Sequence, residues 1–174
     1  MNTINDSIID YPALMDSLGQ YRFPRNRISL LLRKGALIRV KKGLYVRGAL
    51  PGVPPYSREI LANLIYGPSY CSLEWALAHY GIIPERVETI TSVTIARNRA
   101  FTTPLGRFSY TYLRDAYYPH GITRFAFPDG RGYLIATPEK ALIDRVYFQK
   151  GLSGKRDVRD YLLDNLRIDP SSLA

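Results

Sequence analysis

Two places in the 174-residue sequence hold side chains whose types could do covalent or metal chemistry. The first is Pro128-Asp129 followed by Glu139-Lys140, which looks like the two halves of a metal-dependent nuclease pattern. That chemistry needs the second acid and the lysine one residue apart, so that alternate strand positions face the same side. Here Glu139 and Lys140 are adjacent and follow Thr137-Pro138, which reads as a helix start: a Thr cap, Pro at the first position and Glu near the positive end. The second place is Cys71 with His79, a conceivable thiol and base. Eight residues along a helix span about 12 Å, too far for the hydrogen bond such a pair needs. Cys71 therefore reads as a small buried residue and His79 as a cation at a helix end. One Cys and two His (His79 and His120) cannot fill a four-ligand zinc site, and a disulfide within the chain is impossible. The sequence has no GxxxxGK[ST], no GxGxxG opening a helix and no HExxH. The expectation is a protein that is not an enzyme, with no catalytic residue, no metal and no cofactor.

The chemistry that remains is electrostatic. The formal net charge is +9, and it is unevenly spread. Residues 1–50 carry nine Lys or Arg against three Asp, whereas the remainder carries fifteen basic residues against twelve acidic ones. All nine lie between Arg22 and Arg47, and no Asp or Glu occurs between Asp16 and Glu59. A patch of one sign repels itself unless a polyanion neutralises it, so a nucleic-acid backbone is the leading partner. No apolar run approaches the roughly 20 residues that span a bilayer, and the N-terminus MNTINDSIIDYP has neither a basic nor an apolar leader region. A cytoplasmic protein without membrane contact is expected.

The elements that would position this patch are legible from periodicity. Ile8, Ile9, Leu14 and Leu18 suit one face of a helix interrupted or restarted at Pro12, its main part running from Asp10 as N-cap to Leu18, with Gly19 as stop. A second helix starts at Pro24 and runs to about Lys34, with Ile28, Leu31 and Leu32 as its buried stripe and Gly35 ending it. The period then changes to two. Leu37, Arg39 and Lys41 alternate with Ile38 and Val40, Lys42-Gly43 turns, and Leu44-Tyr45-Val46 returns, a hairpin with a basic tip. Two helices and a basic hairpin describe a winged helix-turn-helix, in which an acid-free wing lies beside phosphates.

In such a module the first half of the second helix reaches base edges, which makes Arg25, Asn26 and Ser29 the candidate base contacts. Arg can pair bidentately with guanine and Asn with adenine. Arg22, Arg27, Arg33, Lys34, Arg39, Lys41 and Lys42 are the candidate phosphate and wing contacts, which position without specifying. Tyr45 reads as a strand core residue.

ALPGVPPYS (Ala49 to Ser57) reads as a linker. It divides a DNA-binding unit, 1–50, from a C-terminal α+β unit, 56–174. Beyond it the sequence predicts helices over Ser57–Gly67 and Ser72–Gly81, strands over Glu88–Ala96 and Gly106–Leu113, a hairpin over Arg124–Thr137 turning at Asp129-Gly130, the helix capped by Thr137, and a last helix over Gly154–Leu166. The expected class is α+β: a winged helix-turn-helix followed by a mixed domain with antiparallel strands. Some of the fourteen tyrosines could line an interface, and half-buried strand positions are their ordinary use.

RISLLLRKGALIRVKKGLYV (Arg27 to Val46), SLEWALAHYGI (Ser72 to Ile82) and ATPEKALIDRVY (Ala136 to Tyr147) occur in that order, and together they resemble the antitoxin family of AbiEi type. This is the regulator half of type IV toxin–antitoxin and abortive-infection systems. The resemblance implies a transcriptional autorepressor that binds inverted repeats in double-stranded DNA upstream of its own operon, with Pro24–Lys34 as recognition helix and Leu37–Val46 as wing. It also implies a C-terminal domain that counters a nucleotidyltransferase-type toxin encoded next door, as part of phage defence. Inverted repeats need two copies of the protein, so a homodimer on DNA is possible, with half-sites ~34 Å or a multiple apart. Glu139, Asp144 and Arg145 are candidates for a surface facing the toxin or a second protomer, and a solvated helix face is their plain alternative. The competing function is a protein-interaction module that neutralises a partner by direct docking, without specific DNA binding.

Overall fold

The computed structural model describes residues 7–48 and 55–169. The proposed linker falls largely on 49–54, outside the described residues. The chain is α+β and builds two sheets, each with antiparallel pairs.

The first sheet is small. Strand β1 (Ile8–Asp10) leads into α1 (Tyr11–Ser17) and α2 (Pro24–Arg33), followed by the hairpin β2 (Leu37–Lys41) and β3 (Leu44–Arg47), and the strand order is β1-β3-β2. Ile8 and Ile9 were expected on a helix face. They instead form a strand, with Ile8 opposite Val46 and Ile9 opposite Tyr45. Two consecutive β-branched residues suit a pleated edge better than the first turn of a helix. Asp10 ends the strand and caps α1, its carboxylate accepting from Ala13 N–H at 2.8 Å. Gly35, at φ +68°, stops α2 in the left-handed region that a side chain resists.

β3 is the central strand and is buried on both faces. Leu44 and Val46 join Ile8 and Val40 in the main apolar cluster, while Tyr45 joins Ile9, Leu14, Leu18, Ile28 and Leu37 in a second cluster that fixes α1 and α2 to the sheet. Side chains alternate across a strand, so one central strand serves two cores.

The second sheet has six strands in the order β6-β7-β5-β4-β9-β8, comprising β4 (Ser69–Cys71), β5 (Ile90–Thr94), β6 (Arg99–Thr103), β7 (Gly106–Tyr112), β8 (Ile122–Ala126) and β9 (Gly132–Ala136). β4 runs antiparallel to β5 and parallel to β9, and β5 runs parallel to β7. Helix α3 (Arg58–Ile65) packs on β4, β5 and β9, while α4 (Leu73–His79) packs on β5 and on α5 (Pro138–Phe148). The expected last helix divides into α6 (Lys155–Asp160) and a π-helical turn, Tyr161–Asn165. β4 and β6 lie where the sequence suggested no strand. β4 has three residues, all buried, too short for any period to show. The main cluster continues from β1–β3 through Leu61, Ala62 and Ile65 of α3 into this sheet, so the two expected units share one apolar interior.

Candidate nucleic-acid interface

Helix α2 turns Ile28 inward against the second cluster, with Leu31 and Leu32 half-buried beside it. The opposite face is therefore free, and Arg25, Asn26, Ser29 and Arg33 all lie exposed on it. Arg25, Ser29 and Arg33 stand at i, i+4 and i+8, one above the other. Ser29 Oγ donates to the Arg25 carbonyl at 3.2 Å, which leaves its lone pairs as the outward-facing function. The N-cap position is Phe23, which offers no side-chain cap, and the first turn of the helix holds no acidic residue. Its positive end is thus left uncapped beside the arginines, the arrangement that favours an anion.

Two aromatic rings at this helix start were not singled out from the sequence. Phe23 is 60% exposed, with the Arg22 guanidinium 5.3 Å from its ring centre, and Arg27 lies 5.2 Å over Tyr21. Stacking of this kind holds a guanidinium plane in place without neutralising it. The alternation Tyr21-Arg22-Phe23 was the available signal. Its meaning depends on the turn that exposes both rings.

The hairpin divides its cations. Arg39 and Lys42 are exposed, with Lys42 on the turn beside Gly43 (φ +85°), and Tyr11 N–H donates to the Gly43 carbonyl at 2.9 Å to pin that turn. Lys41, expected on the phosphate-contacting side, is turned inward: its Nζ donates to the Ile65 carbonyl in the last turn of α3 at 2.5 Å. Partial burial lowers its pKa. The cause is a register shift in β2 between Arg39 and Lys41, which breaks the strict alternation. Lys34 is exposed just beyond α2.

The candidate partner residues of α5 separate in the same way. Glu139 is exposed in the first turn, where backbone N–H groups and the Thr137 hydroxyl lower its carboxyl pKa. Arg145 is half-buried, pairing with Glu74 at 2.8 Å and lying over the Tyr161 ring. Asp144 is not on a surface at all. At 1% exposure it accepts from Tyr70 OH (3.0 Å) and Ser72 Oγ (2.8 Å) and pairs with Lys140 Nζ (2.8 Å). Burial, together with the Asp144 charge and hydrogen bond, drives the Tyr70 phenol far above its ordinary pKa. Ser72 stands at the N-cap of α4 as expected, but its hydroxyl serves Asp144 and makes no cap bond. Tyr70 and Ser72 lie more than seventy residues from Asp144, so only its i,i+4 pair with Lys140 is local in the sequence.

Cys71 is fully buried, which raises its thiol pKa. His79 lies exposed in the last turn of α4, at the helix end where it was expected. Its ring stacks on Trp75 at 5.2 Å and meets Tyr80 and Phe125 edge-on at 5.2 Å, and shielding by these rings lowers its pKa despite the opposing pull of Glu59. Among the described residues no three His, Cys, Asp or Glu side chains converge to hold a metal, and no helix is long and apolar enough to cross a membrane. No protein-family model matches the chain, and no curated protein is significantly similar to it.

Proposed function

We propose that the protein is a sequence-specific, double-stranded DNA-binding autorepressor of the AbiEi antitoxin type, acting without catalysis. The single observation that carries this reading is the outer face of α2, where Arg25, Asn26 and Ser29 stand exposed, free of carboxylates, on a helix whose N-terminus has no side-chain cap. The order β1-α1-α2-β2-β3 is compatible with a winged helix-turn-helix, with α2 as recognition helix and β2–β3 as wing. In this reading Arg25 and Asn26 address base edges. Arg22, Arg27, Arg33, Lys34, Arg39 and Lys42 address phosphates, and Lys41 fixes the wing to α3. Two copies occupy an inverted repeat upstream of the operon, and the C-terminal domain counters a nucleotidyltransferase-type toxin.

The test is binding at physiological salt to the duplex upstream of the gene and to a scrambled duplex of equal length. A Kd near 10⁻⁸ M for the first, at least ~10³-fold tighter than for the second, is expected. Equal, weak and steeply salt-dependent binding to both overturns it.

Direct docking to a protein partner is the second reading, and one feature favours it. Ile143 is 62% exposed on α5, one turn from exposed Tyr147, whose ring meets exposed Tyr117 at 5.7 Å. Stable complex formation with the product of the neighbouring gene, in the absence of specific duplex binding, is the outcome that selects it.

A further inference from the structure

A second acid-free stretch lies far from the first in sequence. Between Glu88 and Asp115 there is no Asp or Glu, and four arginines fall there: Arg97, Arg99, Arg107 and Arg114. This segment forms β5, β6 and β7, one edge of the six-stranded sheet. At the end of β7 it forms a shallow, open depression of about 520 Å³, lined by Ile95, Ala96, Arg97, Asn98 and Tyr112.

Hydrogen bonds from backbone and side chains frame the cleft. Thr94 pairs with Tyr112 in the parallel β5–β7 register, and Leu113 N–H donates to the Thr94 carbonyl at 2.8 Å. Thr94 Oγ1 accepts from Ala96 N–H at 3.1 Å, and Asn98 Oδ1 accepts from Tyr112 N–H at 2.6 Å. Tyr112 is nevertheless 46% exposed, with Ile95 exposed near it. Arg99 is occupied over the rings of Phe101 and Tyr66, at 5.4 and 5.8 Å. Arg97 and the amide nitrogen of Asn98 have no hydrogen-bond or ion-pair partner among the described residues. An open surface depression that shows an aromatic ring, an unneutralised guanidinium and a free amide donor suits a planar ring joined to an anion.

We infer that this cleft binds a nucleotide unit, with the base stacked on Tyr112 and its phosphate held by Arg97 and Asn98. An unpaired nucleotide is required, because a base inside a duplex has no free face to stack. The site is independent of the α2 surface and does not rest on the duplex-binding reading.

The experiment uses the full chain and a fluorescein-labelled single strand of about 12 thymidylates, a length within the range such sites cover. Tyr112→Ala weakens binding at least about fivefold, the lower limit for loss of one stacked base, while Tyr112→Phe retains it because the ring is kept. Arg97→Ala lowers the dependence of log K on log salt by about 0.7, the share of one single-strand phosphate. Arg25→Ala combined with Lys42→Ala weakens strand binding less than Tyr112→Ala does. Displacement of the strand by millimolar thymidine monophosphate assigns the free nucleotide as a sufficient ligand; displacement by unlabelled strand alone assigns the polymer. Strand binding that is absent, indifferent to both cleft substitutions, or lost only in the Arg25 and Lys42 variant overturns the inference. The upstream duplex is measured in parallel. Duplex binding without strand binding removes only this inference, and Tyr112-dependent strand binding without specific duplex binding removes only the autorepressor reading.

Discussion

Lys140 Nζ lies 2.8 Å from Asp144 Oδ1 one turn along α5, and both side chains are buried. The ammonium also donates to the Tyr117 carbonyl at 2.9 Å, and the carboxylate receives Tyr70 and Ser72 of the central sheet region. The pair thus ties α5 to β4, to the start of α4 and to the segment before β8. Asp144→Ala leaves the ammonium without its counter-charge and two hydroxyls without their acceptor in the interior, and an uncompensated buried charge typically costs about 3–5 kcal/mol. We expect a loss of that order in urea unfolding. Lys140→Met combined with Asp144→Leu costs clearly less than the two single changes added together. Additive losses would show that the two groups do not act as a pair.

The two neighbouring lysines of the hairpin have different work. Lys41→Ala removes a charged hydrogen bond to the C-terminal end of α3 and lowers stability by roughly 1.5–3 kcal/mol. Lys42→Ala leaves the unfolding midpoint within experimental error and weakens duplex binding about equally for all sequences, with a salt slope smaller by about 1. Thermal melts and titrations at several salt concentrations separate the two effects. A Lys41→Ala protein as stable as the parent would mean that the contact with Ile65 contributes nothing.

On α2, the expectation concerns selectivity more than strength. Arg25→Ala or Asn26→Ala reduces discrimination at one base position by about 1–3 kcal/mol and leaves binding to the scrambled duplex nearly unchanged. Competitive binding to single-base variants of the upstream duplex reads this directly. An equal fall for every sequence would demote these residues to phosphate contacts.

His79 makes stability depend on pH. Its folded pKa lies below the ordinary histidine value of about 6.5, so well above that pH the ring is neutral in both states and its contribution to stability is at its plateau. As pH falls below 6.5 the unfolded chain takes up the proton first, and stability declines until the folded value has been passed. NMR titration of the imidazole should give a midpoint below 6.5, and His79→Gln should flatten the stability difference between about pH 5 and about pH 7.5. A midpoint at or above 6.5 would show that the surrounding rings do not shield it.

Much of the local architecture was legible because its causes are local. Asp10, Ser57 and Thr137 cap helices through their own side chains, Gly35 and Gly43 occupy left-handed turns, and the apolar spacing of Ile28, Leu31 and Leu32 orients α2. The charge asymmetry of residues 22–47 needed only counting. Ile8 and Ile9 were not legible as a strand, because three residues have no visible period and take their identity from Val46 and Tyr45 across the sheet.

The sequence by itself determined where cations concentrate, which residues begin and end most helices, and that α2 has one polar face. Only the tertiary structure decided which of those cations meet solvent. A register shift in β2 and the approach of α3 turn Lys41 inward while Lys42 stays outside. The convergence of β4, α4 and α5 buries Asp144, and the pairing of β5 with β7 sets Tyr112 beside Arg97. The physical reason is the same in each case. Capping and periodicity act over a few residues and are written in them, whereas burial of a charge or exposure of a ring depends on segments that meet only after the chain has folded.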